Sequence, residues 1–160
     1  MAKRKIITIP HETLRVKATS LKLEDFGTTE LRTLVDDMAE TMTAADGIGL
    51  AATQIDVRLR VFLVSTKDGP QAFFNPKILS RSFLKVVMEE GCLSIPEVFG
   101  TVKRPRRVQL QAQDVEGKIF TVNAAGLFAR VIQHELDHLN GILFTDKVIR
   151  ITRGERPTKA

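Results

Sequence analysis

Residues Gln133-His134-Glu135-Leu136-Asp137-His138 constrain this chain more than any other stretch, because their spacing makes chemical sense on a helix. Two histidines four apart lie one turn apart on a single helical face. Both imidazoles can then reach one ion, and the intervening Glu135 can reach a water beside it and take a proton. The chain has 3 histidines, so this motif holds all but His11. A hydrolytic metal site asks for three protein ligands and one open position. The third ligand has to come from a short list: His11, Asp146, Glu155 or the single cysteine, Cys92. A lone cysteine is ordinarily a small buried hydrophobe. Beside this motif, Cys92 is instead the leading candidate, because a thiolate binds zinc or ferrous iron well.

Two further motifs precede the helix. Gly47-Ile48-Gly49-Leu50-Ala51-Ala52-Thr53-Gln54 is rich in small residues and ends in an amide. It lacks the Gly-Lys-Ser/Thr ending of a phosphate loop. Its glycines suit a backbone that runs close to a ligand, with Gln54 donating a hydrogen bond into the site. Glu90-Gly91-Cys92-Leu93-Ser94 carries the cysteine. The three motifs, in this order, resemble those of the peptide deformylases. Leu14-Arg15, Arg104-Pro105, Gly126-Leu127 and Leu143-Phe144 fit as well, so the resemblance runs from about Ile6 to Val148. Two positions depart from the family: Asp56, where glycine is frequent, and Thr43, where an aromatic is common.

The resemblance implies a metal-dependent hydrolase that removes the N-terminal formyl group from formyl-methionyl nascent peptides. It implies Cys92, His134 and His138 as ligands, with Glu135 as general acid and base. By the same analogy the Gln54 amide and the Leu93 backbone N–H stabilise the developing oxyanion. Ile48, Gly49 and Gly91 would pair with the peptide backbone. Leu127 and Val131 share a helical face with His134 and His138, and would form an apolar wall for the methionine side chain or simply join the core. Asp137 would anchor a ligating histidine or lie on the helix surface. The implied metal is ferrous iron, with zinc, nickel or cobalt able to substitute. Two rival readings differ in kind. A peptidase of internal amide bonds would draw its third ligand from Asp146 or Glu155. An RNA- or ribosome-associated module would keep the fold without turnover.

A length of 160 residues is expected to form a single domain over 1–160 with a proper core. The charge of +5 permits attraction to RNA. With no Tyr or Trp, a base-stacking platform would have to rest on Phe. One cysteine excludes an internal disulfide framework, and a working thiolate favours a reducing compartment. The apolar run from Ile6 ends at Pro10, too short for a signal peptide. The expected location is therefore the cytoplasm, or an organelle after loss of a presequence. A membrane is not an expected partner, the chain is expected to be monomeric, and the ribosome surface near the exit tunnel is a candidate contact. The basic residues Arg150, Arg153, Arg156 and Lys159 form a short tail from about 150, expected to be solvated and frayed, or to touch the ribosome.

The expected fold is α+β, with mostly antiparallel sheet packed around a central metal-binding helix and with an N-terminal helix. Leu31, Leu34, Val35, Met38 and Met42 recur at helical spacing over residues 30–44, and Asp46-Gly47 ends that helix. Residues 60–65 and 71–74 read as strands around a turn at Lys67-Asp68-Gly69. Residues 106–113 alternate, with Val108, Leu110 and Ala112 facing one way, and 118–122 return as the hairpin partner. The metal helix runs from about Leu127 to Leu139 and closes at Asn140-Gly141.

Overall fold

The computed structural model describes residues 2–158. Helix α1 spans Thr29–Ala44 and helix α2 spans Gly126–Leu139. Among the described residues there are eight strands, joined in places by short helical turns: β1 (Gly49–Ala51), β2 (Val61–Thr66), β3 (Gly69–Arg81), β4 (Lys85–Cys92), β5 (Ile95–Pro105), β6 (Arg107–Gln113), β7 (Ile119–Ala125) and β8 (Val148–Arg153). One antiparallel sheet has the order β1-β2-β3-β6-β7, and a second has the order β4-β5-β8.

The five-stranded sheet carries a helix on each face, and β2 shows why. Phe62 and Val64 pack with Ile132, Leu136 and Leu139 of α2. Val61 and Leu63, the alternate residues, pack with Leu31, Met38 and Met42 of α1. A strand covered on both faces reads as an unbroken apolar run, which is what Val61-Phe62-Leu63-Val64 is. Strand β6 is apolar on one face only: Val108, Leu110 and Ala112 are buried, and their neighbours are not. A third cluster, Leu14, Ile95, Val102, Leu143 and Phe144, ties the smaller sheet to the turns around α2.

Local chemistry sets the helix ends. Thr28 Oγ1 accepts the Leu31 N–H and caps α1. At the other end Asp46 N–H bonds to Thr43 O and Gly47 N–H to Met42 O, a Schellman closure. Asp46 takes the left-handed conformation at φ 53°, one residue before the glycine. Helix α2 closes in the same way with Gly141 at φ 72°.

Four strands depart from the sequence expectation. Strand β3 runs to Arg81, well beyond residue 74, because register shifts let it bend while still pairing with β6. Strands β4 and β5 form a long hairpin whose residues mix apolar and charged types without clean alternation. The expected tail from about 150 is not frayed over residues 148–153. They form β8, paired antiparallel with β5, and Val148 is buried. Lys159 of that basic stretch lies outside the described residues. Asp56, the position where glycine is frequent in the resembling family, sits at φ 62°. That conformation explains the glycine, and a short polar side chain tolerates it.

Candidate active site and metal centre

Three separate segments meet at one point. The Gly49–Ala51 strand leads into a short helical turn, Ala52–Ile55, which carries Gln54. Cys92 ends β4, and Leu93 and Ser94 form a two-residue turn into β5. Helix α2 brings the two histidines and Glu135. The N-terminal segment laces the first two together: Ile7 N–H bonds to Gln54 O and Ile9 N–H bonds to Ser94 O.

One ligating atom from each of Cys92, His134 and His138 lies within 4.8 Å of the others. Cys92 Sγ is 3.2 Å from His138 Nε2. His134 Nδ1 lies 2.8 Å from Glu90 Oε1, so it donates to that carboxylate and leaves Nε2 for the shared centre. Glu135 Oε2 and His138 Nδ1 are buried without a hydrogen-bond partner among the described residues. An unpartnered buried carboxylate oxygen is costly unless a cation or a bound water is to face it. A thiolate and two imidazoles are a borderline-soft set that suits a divalent transition metal, so the residues fit such an ion.

The electrostatics agree with that fit. Burial pushes the Glu135 carboxyl up to about 7, against the opposing charge of His134. That is where a proton-transfer group is most useful. Burial and the neighbouring His134 charge hold His138 well below its ordinary value, so it stays neutral and able to offer a lone pair. For His134 burial acts downward, but the hydrogen bonds with Cys92 and Glu90 outweigh it and raise the group. A cation among these donors takes the place of that proton.

The centre opens into a cavity of about 510 Å³ lined by Ile48, Gly49, Gly91, Leu93, Leu127, Val131 and Glu135, among others. All five residues expected to touch the substrate therefore border one space. Val131 is buried, whereas Leu127 is 57% exposed at the rim. His138 does not line the cavity and is buried. Gly49 is required by close approach: a Cβ there would lie 2.5 Å from Glu135 Oε1 and 2.8 Å from Val131 Cγ1. At Gly91 a Cβ would meet the Phe99 ring at 2.6 Å. Gln54 is held rather than free, since its Oε1 accepts the Ala51 N–H and its Nε2 donates to Ser94 Oγ at 3.2 Å. The same Nε2 lies 3.6 Å from Cys92 Sγ.

Other candidate ligands stand apart. His11 Nδ1 accepts from Thr13 N–H. Asp146 accepts from Arg15 and the Leu143 N–H, and Glu155 is exposed. Asp137 is neither a histidine anchor nor a surface acid. It is buried and accepts from Arg104 Nη1 and Lys147 Nζ, each at 2.8 Å. Successive helix residues are 100° apart, so Asp137 points off the His138 face to the back of α2.

The histidine anchor is Glu90, a role the sequence did not betray. It accepts both Nε and Nη2 of Arg104, at 2.6 and 2.9 Å, and Arg130 Nη1 at 2.6 Å. Arg130 also donates to the Val102 and Val86 carbonyls. Burial acts to raise the Glu90 carboxyl, but the hydrogen bonds from His134 and Arg104 outweigh it and hold it well below the usual carboxylate range. The one available signal was its place two residues before Cys92 in the same motif.

Together, this fold and this donor set define a metal-dependent hydrolase. The family model described as polypeptide deformylase matches residues 3–154. The chain belongs to that family, whose members remove the N-terminal formyl group from nascent polypeptides. It is 48% identical to a peptide deformylase of Afipia carboxidovorans, over 96% of this chain and 91% of the relative. A crystal structure of a peptide deformylase from Legionella pneumophila superposes with a TM-score of 0.86 at 41% identity, over 92% of this chain and 86% of that one. A class I type b peptide deformylase of Acinetobacter baumannii, solved with Met-Ala-Ser bound, superposes at 0.88 with 31% identity, over 92% of this chain and all of that one.

Proposed function

We propose that Cys92, His134 and His138 hold one divalent cation, ferrous iron in the cell, and that Glu135 carries the proton transfers of formyl hydrolysis on formyl-methionyl peptides. The observation that carries this reading is the three-donor cluster with the unpartnered Glu135 Oε2 beside an open cavity. When bound, the cation supplies Lewis-acid chemistry, acidifying water and polarising a carbonyl oxygen. Glu135 takes a proton from the attacking water and returns it to the leaving amine. Gln54 Nε2 and the Leu93 N–H donate to the oxygen on which negative charge builds. The Gln54 amide is pre-oriented by Ala51 and Ser94, so little reorganisation accompanies that step. Ile48, Gly49 and Gly91 pair with the substrate backbone in strand fashion. Leu127 and Val131 bound the methionine side chain.

The test is Cys92→Ala, assayed for bound metal and for formate release from formyl-Met-Ala-Ser under anaerobic conditions with ferrous iron. Loss of both supports the reading. A variant that retains stoichiometric metal would instead favour a peptidase with a different third ligand.

The pocket assignment has its own test. Val131→Phe places a ring next to His134, on the buried side of the cavity. We expect KM to rise for formyl-Met peptides by about tenfold, with formyl-Ala peptides less affected, as one or two misplaced groups in an apolar pocket typically do. An unchanged formyl-Met to formyl-Ala ratio of kcat/KM, in folded and metal-replete protein, would make Val131 plain core.

As one domain over 1–160, the protein acts as a monomer in the cytoplasm, near the ribosomal exit where formylated chains emerge. The support is the exposed Arg150 and Arg153 on β8 and the substrate class of the family. Among the described residues no helix is long and apolar enough to cross a membrane.

A further inference from the structure

A second concave surface lies on the far side of α2 from the metal centre. It is a groove of about 470 Å³ between the β3–β4 connection and the C-terminal half of α2. Arg81, Phe83, Lys85 and Lys103 border it on the sheet side, and Gln133 and Asn140 on the helix side. Segments 76–88 and 98–113 carry Lys77, Arg81, Lys85, Lys103, Arg104, Arg106 and Arg107 and contain no Asp or Glu. Seven of the chain's 24 basic residues therefore fall in two acid-free segments, and Arg81, Lys85, Lys103 and Arg104 of these line the groove.

Arg104 is buried and committed to Glu90 and Asp137. Arg81, Lys85, Lys103, Arg106 and Arg107 are exposed, and none makes an ion pair among the described residues. The acid at the groove floor, Asp137, is already neutralised by Arg104 and Lys147. The backbone knits this face together: Ser82 N–H bonds to Arg107 O, and Arg106 N–H bonds to Leu84 O. At its edge Phe83 is fully exposed and Leu84 is 59% exposed. A fully exposed phenylalanine makes no contribution to the core, and here it stands among unpaired cations.

We infer that this face binds single-stranded RNA, with Arg81, Lys85, Lys103 and Arg107 on successive phosphates and Phe83 stacked on an unpaired base. Three features favour RNA over another anion. Guanidinium groups match phosphate oxygens with paired donors and also lie flat on bases. A cationic groove with an aromatic at its edge is how proteins track a single strand without reading its sequence. A concave surface cannot press into a flat bilayer, which calls for a protruding apolar face. No residue that lines the groove also lines the cavity at Gly49 and Gly91, so bound RNA leaves the peptide site accessible. The inference does not depend on the deformylation reading.

The experiment uses metal-loaded full-length protein and a labelled oligouridylate of about 12 nucleotides, followed by fluorescence anisotropy across a salt series. Micromolar binding is expected at low salt, with log K falling against log salt by about 0.7 for each phosphate neutralised. The triple variant Arg81→Gln, Lys85→Gln, Arg107→Gln should flatten that slope by about 2. Phe83→Ala should weaken binding about tenfold with the slope unchanged, since stacking releases no counterions. Both variants should release formate from formyl-Met-Ala-Ser at the wild-type rate, which also reports that they fold. A control triple, Lys22→Gln, Lys67→Gln, Lys118→Gln, removes the same charge from other surfaces. If the control weakens binding as much as the face variant, the effect is net charge and the inference fails. It fails equally if Phe83→Ala binds as wild type, or if vesicles of phosphatidylglycerol compete the RNA away through the same residues.

Discussion

Glu135→Gln is expected to keep the fold and the bound metal while lowering kcat by at least about 10². The amide matches the carboxylate in shape but cannot accept a proton at neutral pH. The motivating facts are its position between His134 and His138, the buried Oε2 without a partner, and a carboxyl that burial raises to about 7. The pH profile carries the sign of that group. Activity needs the ionised base, so it should fall as pH drops below neutrality and hold as pH rises. Single-turnover formate release with equal metal content is the decisive measurement. A variant that retains more than about a tenth of the wild-type rate would remove Glu135 from the role of base.

The second large effect is on stability. Glu90→Ala should destabilise the protein by about 3–5 kcal/mol, because Arg104 and Arg130 remain buried with part of their countercharge removed. For a chain of this size that is a fall in Tm of roughly 10 °C. Metal affinity should fall about 10- to 100-fold as well, since the His134 ring loses the acceptor that orients it. The pH dependence follows from the lowered Glu90 carboxyl. A carboxyl whose folded value lies below its unfolded value contributes fully above about pH 4.3, and its contribution shrinks as pH falls toward the folded value. The stability gap between wild type and Glu90→Ala should therefore narrow in acid. Urea unfolding at pH 7 and pH 3.5 reads both quantities. A loss below 1 kcal/mol at pH 7 would show that the arginines find other acceptors. The double variant Glu90→Ala, Arg130→Met should recover part of the loss by removing one stranded charge.

Much of the site was legible because short-range geometry dictated it. The His-Glu-x-x-His spacing places two imidazoles on one helix face whatever surrounds them. The alternation at Val108, Leu110 and Ala112 and the spacing of Leu31, Met38 and Met42 are local periodicities, and all six side chains are buried. The end of α2 at Gly141 follows from the need for a left-handed residue there.

What stayed hidden was long-range. Glu90 is 44 residues from the histidine it anchors, and nothing in a strand of mixed residues marks one acid as buried. Asp137 carried a plausible role by adjacency, yet helix rotation turned it to the back of α2, where Arg104 and Lys147 meet it. Residues 150–153 were expected in a solvated basic tail and instead complete an edge strand, because β5 offered unpaired backbone groups. The sequence by itself determined the metal motif, the two helices and the amphipathic strands, since each depends on residues a few positions apart. Only the tertiary structure decided which charges are buried together, which glycine the Glu135 carboxylate crowds, and where the unpaired cations gather. Those outcomes depend on which distant segments come into contact, and a local pattern carries no record of that.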